Sequence, residues 1–471
     1  MLGNGGKGMI GLADIFTDHM IFQRNMEILI WGTSDREQEI TAKFDGESQT
    51  VRAGQGYWEV LFSPREAGGP FRLDVYGERV QIRREDIYTG EVWIAAGQSN
   101  MALPLSECNG GGEELNAATD GLLRFYIQPG ISDTGEKESP GLWRACTAGE
   151  FGSISGTAYF CAQRLRAELR MPVGIIMCCH PGTAIACWMN EKGSELPEET
   201  REERRRSYEQ FWEAKRNGSN VWPPPVWEGS PFWPGSLYRC MVRAIAPYRA
   251  RGVLYYQGEE DCRAPEGYSE KMCTLVQEWR NIWRQENLYF VMAQLPMYGG
   301  EEYEEESWAR LREQQEQAAE HIKDMLMVIL IDCGEKDNIH PTDKKTPGVR
   351  MALRCLEGVY GKGKLTGGPR LASALLLEGG HVHIKFLGGN GGLCSVDTGE
   401  GTLLELSGKD GKYVPAEMEI HGDELEVWNE SLSDPVRVRY AFRNYGKAHL
   451  YDEDGFPVAP FQSDLGPCLM T

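Results

Sequence analysis

Between about residues 91 and 360 the chain alternates nearly all-apolar runs with helical patterns, and this alternation limits its fold more than any other feature. The runs are VWIAAG (92–97), VGIIMCC (173–179), GVLYYQG (252–258), LYFVMAQL (288–295) and MLMVILID (325–332). A strand with one face in water alternates polar and apolar residues. A parallel strand covered by helices on both faces does not need to. Between the runs lie AYFCAQRLRAELR, SLYRCMVRAIAPY, SEKMCTLVQEWRNIWR and PGVRMALRCLEGVYG, each with an apolar stripe at helical spacing. The expectation is an α/β fold with a doubly wound parallel sheet.

The flanks read differently. From residue 10 to about 85, short stretches such as EILIWG, YWEVLF and FRLDVY are separated by turn signals. From about 366 onward, EMEIHGDELEVW and VRVRYAF return to strand alternation. The 56 glycines fit a chain with many turns. The expected organisation is an N-terminal β-sandwich-like domain over 1–88, an α/β domain over 89–364 and a C-terminal β-domain over 365–471, the last packed alone or with the first. Residues 195–235 fit neither pattern: they are charged first, then rich in Trp and Pro. The plain reading is a helix and a long surface loop. The sharper one is a lid over a site, since long ordered loops are often functional.

Composition narrows the partners. With 49 Lys and Arg against 70 Asp and Glu, the formal net charge is −21, which repels phosphate backbones and anionic headgroups. Neither nucleic acid nor a membrane is an expected partner, and no apolar run approaches the ~20 residues that span a bilayer. The start, MLGNGGKGMIGLADIF, has no apolar core or cleavage site of a signal peptide. The thirteen Cys are scattered without a C-x-x-C pair, which favours reduced thiols in a cytoplasmic protein over a disulfide scaffold or a metal site.

In open α/β sheets, ligands bind beyond the carboxyl ends of the strands, so the residues after each run matter most. VWIAAG is followed by Gln98-Ser99-Asn100-Met101, a Gly-flanked turn that exposes a hydroxyl much as a nucleophile elbow does. VGIIMCC is followed by His180-Pro181-Gly182-Thr183, where a glycine lets a backbone N–H approach a substrate oxygen. GVLYYQG ends with Gln257, an amide with two donors, before Glu259, Glu260 and Asp261. MLMVILID is followed by Asp337-Asn338-Ile339-His340-Pro341, a histidine with a carboxylate three residues earlier. Each has an ordinary explanation alone: a capping serine, a turn glycine, a solvated acidic loop, a loop histidine. Together they supply a nucleophile, oxyanion donors and an oriented base at one edge of one sheet, the parts needed for acyl transfer.

The chain at this point resembles the SGNH hydrolases, specifically the sialate O-acetylesterase-like carbohydrate esterases. The resemblance runs over roughly residues 12–360, through ADIFTDHMIFQRNMEILIWG, GEVWIAAGQSNM, PVGIIMCCHPGTAIACWM, SLYRCMVRAIAPYRARGVLYYQGEED and DNIHPTDKKTPGVRMAL. It implies the SGNH-hydrolase (flavodoxin-like) version of the doubly wound sheet, with accessory all-β domains. It implies Ser99 as nucleophile, His340 as base and Asp337 as its orienting acid. The oxyanion hole would be Ser99 N–H, Gly182 N–H and the Gln257 amide. No cofactor is implied. Pro181 stands where the family usually has a second Gly, and Glu260-Asp261 where it has Ser-Asn, which bears on substrate preference more than on chemistry. The implied substrate is an O-acetylated sugar: sialate first, acetylated xylan or mannan oligosaccharides as the alternative. Trp222, Trp227 and Trp233 are expected to line the sugar site. Two other classes stay open: a non-catalytic carbohydrate-binding protein, and a glycosidase using the acids of 259–261.

Overall fold

A single strand of 17 residues, Gln81–Gly97 (β1), serves two sheets. In the computed structural model, which describes residues 9–117, 119–130, 141–147, 152–190, 198–219 and 221–466, its first half pairs antiparallel with Gly68–Tyr76 and its second half pairs parallel with Val173–Cys179. The sequence explains the change. Exposure alternates from Gln81 to Asp86, whereas every residue from Thr89 to Gly97 is buried. The expected boundary at residue 88 thus falls inside one continuous strand. The chain divides into two compact units, Met1–Leu254 with Thr274–Tyr289, and Tyr255–Cys273 with Phe290–Thr471. Residues 1–8 of the N-terminal stretch read for a signal peptide, and residues 195–197 and 220 of the 195–235 segment, lie outside the described residues.

In the first unit, Ile10–Leu12, Ile28–Ser34 and Gly56–Phe62 form one antiparallel sheet. Gln38–Phe44 pairs with Glu47–Ala53 and Gly68–Tyr76 to form, with β1, the other. Phe16, Phe22, Trp31 and Phe44 fill the space between them. Tyr248 joins that core, its ring 5.7 Å from Phe22 and its hydroxyl donating to Ile21 O at 2.8 Å.

The α/β part of this unit adds Asp120–Ile127 (β2) and Val173–Cys179 (β3), and β3 pairs parallel with both β1 and β2. Trp143–Cys146 runs antiparallel to β2, so the sheet is mixed. β2 escapes an all-apolar search because Arg124 interrupts it. That guanidinium is only 3% exposed and is satisfied by the Asp86 carboxylate at 2.8 Å and by the carbonyls of His19 and Asp86. A buried charge so fully paired is tolerated where an unpaired one would not be. Gly156–Leu169 (α1) is capped by Ser155, whose Oγ accepts from Ala158 N at 2.9 Å. Glu198–Arg216 (α2) is the charged helix before the Trp-rich segment. The pattern at 236–248 predicts one regular helix. It is instead a π turn over Tyr238–Val242 and a short α segment over Arg243–Ile245, ended by Pro247, which has no N–H to continue it. Gly252–Tyr256 (β4) begins here, with Arg251 N donating to Val92 O at 2.7 Å, and passes into the second unit at Tyr255.

Tyr289–Ala293 (β5), which enters the second unit at Phe290, pairs parallel with Met325–Val328 (β6), with Phe290 opposite Met325. Ser307–His321 (α3) and Lys345–Gly358 (α4) accompany them. β6 is shorter than MLMVILID predicts. Arg350 takes the Ile329 carbonyl at 3.1 Å and grips both Asp332 oxygens at 2.6 and 2.7 Å, so the backbone beyond Val328 is held by a side chain instead of a strand. The C-terminal region forms two four-stranded antiparallel sheets, Arg370–Leu376 with Val382–Leu387, Glu424–Trp428 and Glu417–His421, and Tyr413–Pro415 with Leu404–Ser407, Arg437–Tyr440 and Phe461–Asp464. No helix of the described residues is long and apolar enough to cross a membrane.

Candidate active site

β1 ends in Gly97, whose φ of 135° lies in a region that side-chain-bearing residues avoid. The chain can therefore turn at once into the short helix Ser99–Ala102. Gln98, not Ser99, occupies the cap position of that helix. Ser99 is half-buried, and among the described residues its hydroxyl makes no hydrogen bond. The contrast with Ser155, whose hydroxyl caps α1, separates a structural serine from one presented outward. As the first helical residue, Ser99 also has an N–H with no carbonyl behind it inside the helix.

The turn after β3 lies beside it. Cys179 registers with Gly97, and His180 N donates to Gly97 O at 3.0 Å. Thr183 pins this turn: its buried hydroxyl donates to His180 O at 2.8 Å and accepts from the Trp188 indole at 3.0 Å. Gly182 has φ of 67°, and a Cβ placed there would lie 2.3 Å from Trp222 Cζ2. The turn thus requires glycine twice over, for its backbone angle and for the indole packed on it.

That contact sorts the three expected tryptophans. Trp222 joins a ring cluster with Phe211 (6.3 Å), Trp212 (6.4 Å) and Phe232 (5.7 Å), and its indole is the group nearest Gly182. Trp227 packs on Tyr208 at 5.6 Å and against Gly229 of its own loop. Trp233 is 7% exposed. Lys215, near the end of α2, lies over the rings of Trp222 at 5.8 Å and Phe211 at 6.0 Å. It is half-buried and has no carboxylate partner among the described residues. The four-residue spacing of Phe211 and Lys215 on one helix is the sequence signal for this contact.

In the second unit, Gln257 follows β4 and is fully buried. Its Nε2 donates to Asp261 Oδ2 at 2.5 Å, and its Oε1 accepts from the Tyr268 hydroxyl at 2.9 Å. A donor on one side and a carboxylate on the other settle which end of the amide is nitrogen. Gln315 Nε2 bonds the Gln257 carbonyl at 3.2 Å. The structure singles out Asp261 from the acids of 259–261 as the partner of Gln257, a pairing that the spacing of residues does not specify. Of these acids, Glu259 is 1% and Asp261 8% exposed.

His340 lies half-buried on the loop between β6 and α4. Asp337, on the same loop, is exposed and its carboxylate makes no hydrogen bond or ion pair among the described residues. Asp343 closes the loop at the start of α4, its Oδ1 accepting from Lys345 N and Thr346 N, both at 3.0 Å. Among the described residues no three His, Cys, Asp or Glu side chains are grouped to hold a metal ion.

A family model described as "Carbohydrate esterase, sialic acid-specific acetylesterase" matches residues 89–357, more than half of the chain. The chain belongs to this family. The esterase is 24% identical to sialate O-acetylesterase of Mus musculus over 96% of this chain and 94% of that protein. It is 23% identical to the Rattus norvegicus enzyme of the same name over 75% and 74%. Its structure is similar to that of a carbohydrate acetylesterase from Xanthomonas citri, with a TM-score of 0.83 and 28% identity, covering 97% of this chain and 100% of the other. It is a carboxylic ester hydrolase that removes O-acetyl groups from sugars. Ser99, Gly182, Gln257, Asp337 and His340 all fall inside the matched span.

Proposed function

We propose that this esterase deacetylates O-acetylated sialic acids with Ser99 as nucleophile and His340 as general base. The observation that carries the mechanism is Ser99 itself, presented on the Gly97 turn with a hydroxyl that makes no hydrogen bond among the described residues. Its Oγ attacks the acetyl carbonyl as His340 accepts its proton. The oxyanion is held by the N–H groups of Ser99 and Gly182 and by the Gln257 amide, donors that act on charge present only in the transition state. The sugar hydroxyl leaves with the proton from His340. Water then attacks the acetyl-enzyme with the same base. Asp337 is the acid assigned to His340. Its exposed position fits a partner that tightens only when substrate is bound.

We read the fold as the SGNH form of a doubly wound sheet, supported by the parallel pairs β1 with β3, β2 with β3 and β5 with β6. For the sugar, the supporting observation is Lys215. It is a cation without a carboxylate partner among the described residues, on the indole that covers Gly182, in a chain of net charge −21. A sugar carboxylate is the natural counter-charge, and neutral acetylated xylan or mannan has none.

Ser99→Ala tests the mechanism: kcat falls roughly 10³-fold or more on p-nitrophenyl acetate and on acetylated sialic acid, with unchanged thermal melting. Activity near the parent value sinks it. Lys215→Gln tests the sugar. It raises KM about 5-fold for O-acetylated sialic acid, the size of one partly screened charge contact, and leaves acetylated xylo-oligosaccharides unchanged. Equal effects on both substrates favour the neutral sugar.

A further inference from the structure

Glu335 spans the loop that carries His340. Its Oε2 accepts from Asn338 Nδ2 at 3.1 Å, and its Oε1 accepts from the backbone N–H of Thr342 at 3.1 Å. Asn338 completes the arrangement: its Oδ1 accepts from the backbone N–H of His340 at 3.0 Å. Residues 335 and 338 also share a backbone bridge. One carboxylate and one amide thus hold the chain at His340 and just beyond it, and neither was picked out from the sequence.

We propose that Glu335 and Asn338 are a positioning pair that sets the backbone at His340 and thereby aims its imidazole. The proposal rests on the reading of His340 as the base. The loop is anchored at one end by Arg350 on Asp332 and at the other by Asp343 on the start of α4. Between those anchors the loop contains neither helix nor extended strand. A base displaced by about 1 Å costs on the order of 10²-fold in rate, so side-chain bonds to the loop backbone bear directly on turnover.

The polarity of the pair makes it testable. Glu335 supplies two acceptors, and Asn338 supplies one donor toward Glu335 and one acceptor toward His340 N–H. In Glu335→Gln the new amide turns a donor toward either Asn338 Nδ2 or Thr342 N–H. If Asn338 flips to accommodate it, an N–H faces His340 N–H instead. In Asn338→Asp two carboxylates meet. In the double variant every bond is restored: the amide at 335 donates to the carboxylate at 338 and accepts from Thr342 N–H, while the carboxylate at 338 still accepts from His340 N–H. Size and net charge equal those of the parent.

The experiment is a double-variant cycle on p-nitrophenyl acetate, with thermal melting of each protein. Each single variant is expected to lower kcat about 10- to 100-fold with KM changed less than about 2-fold, and the double variant to recover most of the loss. The proposal is overturned by a double variant no faster than the slower single variant, or by single variants at parent kcat. A loss that follows melting temperature instead of the swap also overturns it. His340→Ala separates the underlying reading. If that variant keeps parent kcat, His340 is not the base, and the positioning role falls with it.

Discussion

Gln257 Nε2 donates to Asp261 Oδ2 at 2.5 Å within a fully buried amide environment. A charged acceptor makes this bond roughly twice as strong as a neutral one, and hydrogen bonds in series polarise one another. Asp261 therefore fixes the amide that the mechanism assigns to the oxyanion. Gln257→Ala is expected to lower kcat by about 10²–10³-fold, with little change in KM because the oxyanion forms only in the transition state. Asp261→Asn keeps an acceptor but not its charge, so a loss of about 10-fold is expected. Steady-state kinetics decide, and an effect of Gln257→Ala confined to KM would reassign the residue to sugar binding.

Asp337 and His340 make a second comparison. An exposed carboxylate leaves room for water to take its place, so Asp337→Asn should reduce kcat less than His340→Ala does. Measuring both variants on p-nitrophenyl acetate checks the order. Unchanged kcat in Asp337→Asn hands the orienting role to another carboxylate.

The three tryptophans should separate by substrate. Trp222→Ala removes the indole against Gly182 and is expected to weaken turnover of acetylated sugars more than that of p-nitrophenyl acetate, which has no sugar ring to stack. Trp227→Ala and Trp233→Ala remove packing within the loop, so they should lower the melting temperature and damage both activities together. Three variants that hit both substrates equally would exclude a sugar-stacking role for the segment.

His449 gives stability a pH dependence. It is 6% exposed, both ring nitrogens lack a hydrogen-bond partner among the described residues, and burial pushes its pKa below the usual histidine value. Below about pH 6.5 the unfolded chain binds a proton there before the folded one does, so stability falls as pH drops through that range toward the folded pKa. His449→Phe, which preserves the ring contact with Tyr440 at 5.4 Å, should flatten the decline in melting temperature between about pH 7 and pH 5. An identical slope in the variant would place the effect elsewhere.

The sequence by itself determined five of the six labelled strands and where the candidate site residues stand after them. Apolar runs marked β1 and β3 to β6, and the turn residues after them put Ser99, Gly182 and Gln257 just past strand ends. These features are local: strand burial and turn chemistry depend on neighbours a few residues away, so periodicity records them. Tertiary structure alone decided the rest. β2 hides behind Arg124, because its paired guanidinium is held by residues 38 and 105 positions away in the chain. β1 joins two sheets because each half meets a different partner. Trp222 differs from Trp227 and Trp233 only by which surface each ring touches. The pairings of Gln257 with Asp261 and of Glu335 with Asn338 are short in sequence, yet composition and spacing are silent on which atoms meet. A hydrogen bond is specified by distance and direction in three dimensions, and the order of residues along the chain carries neither.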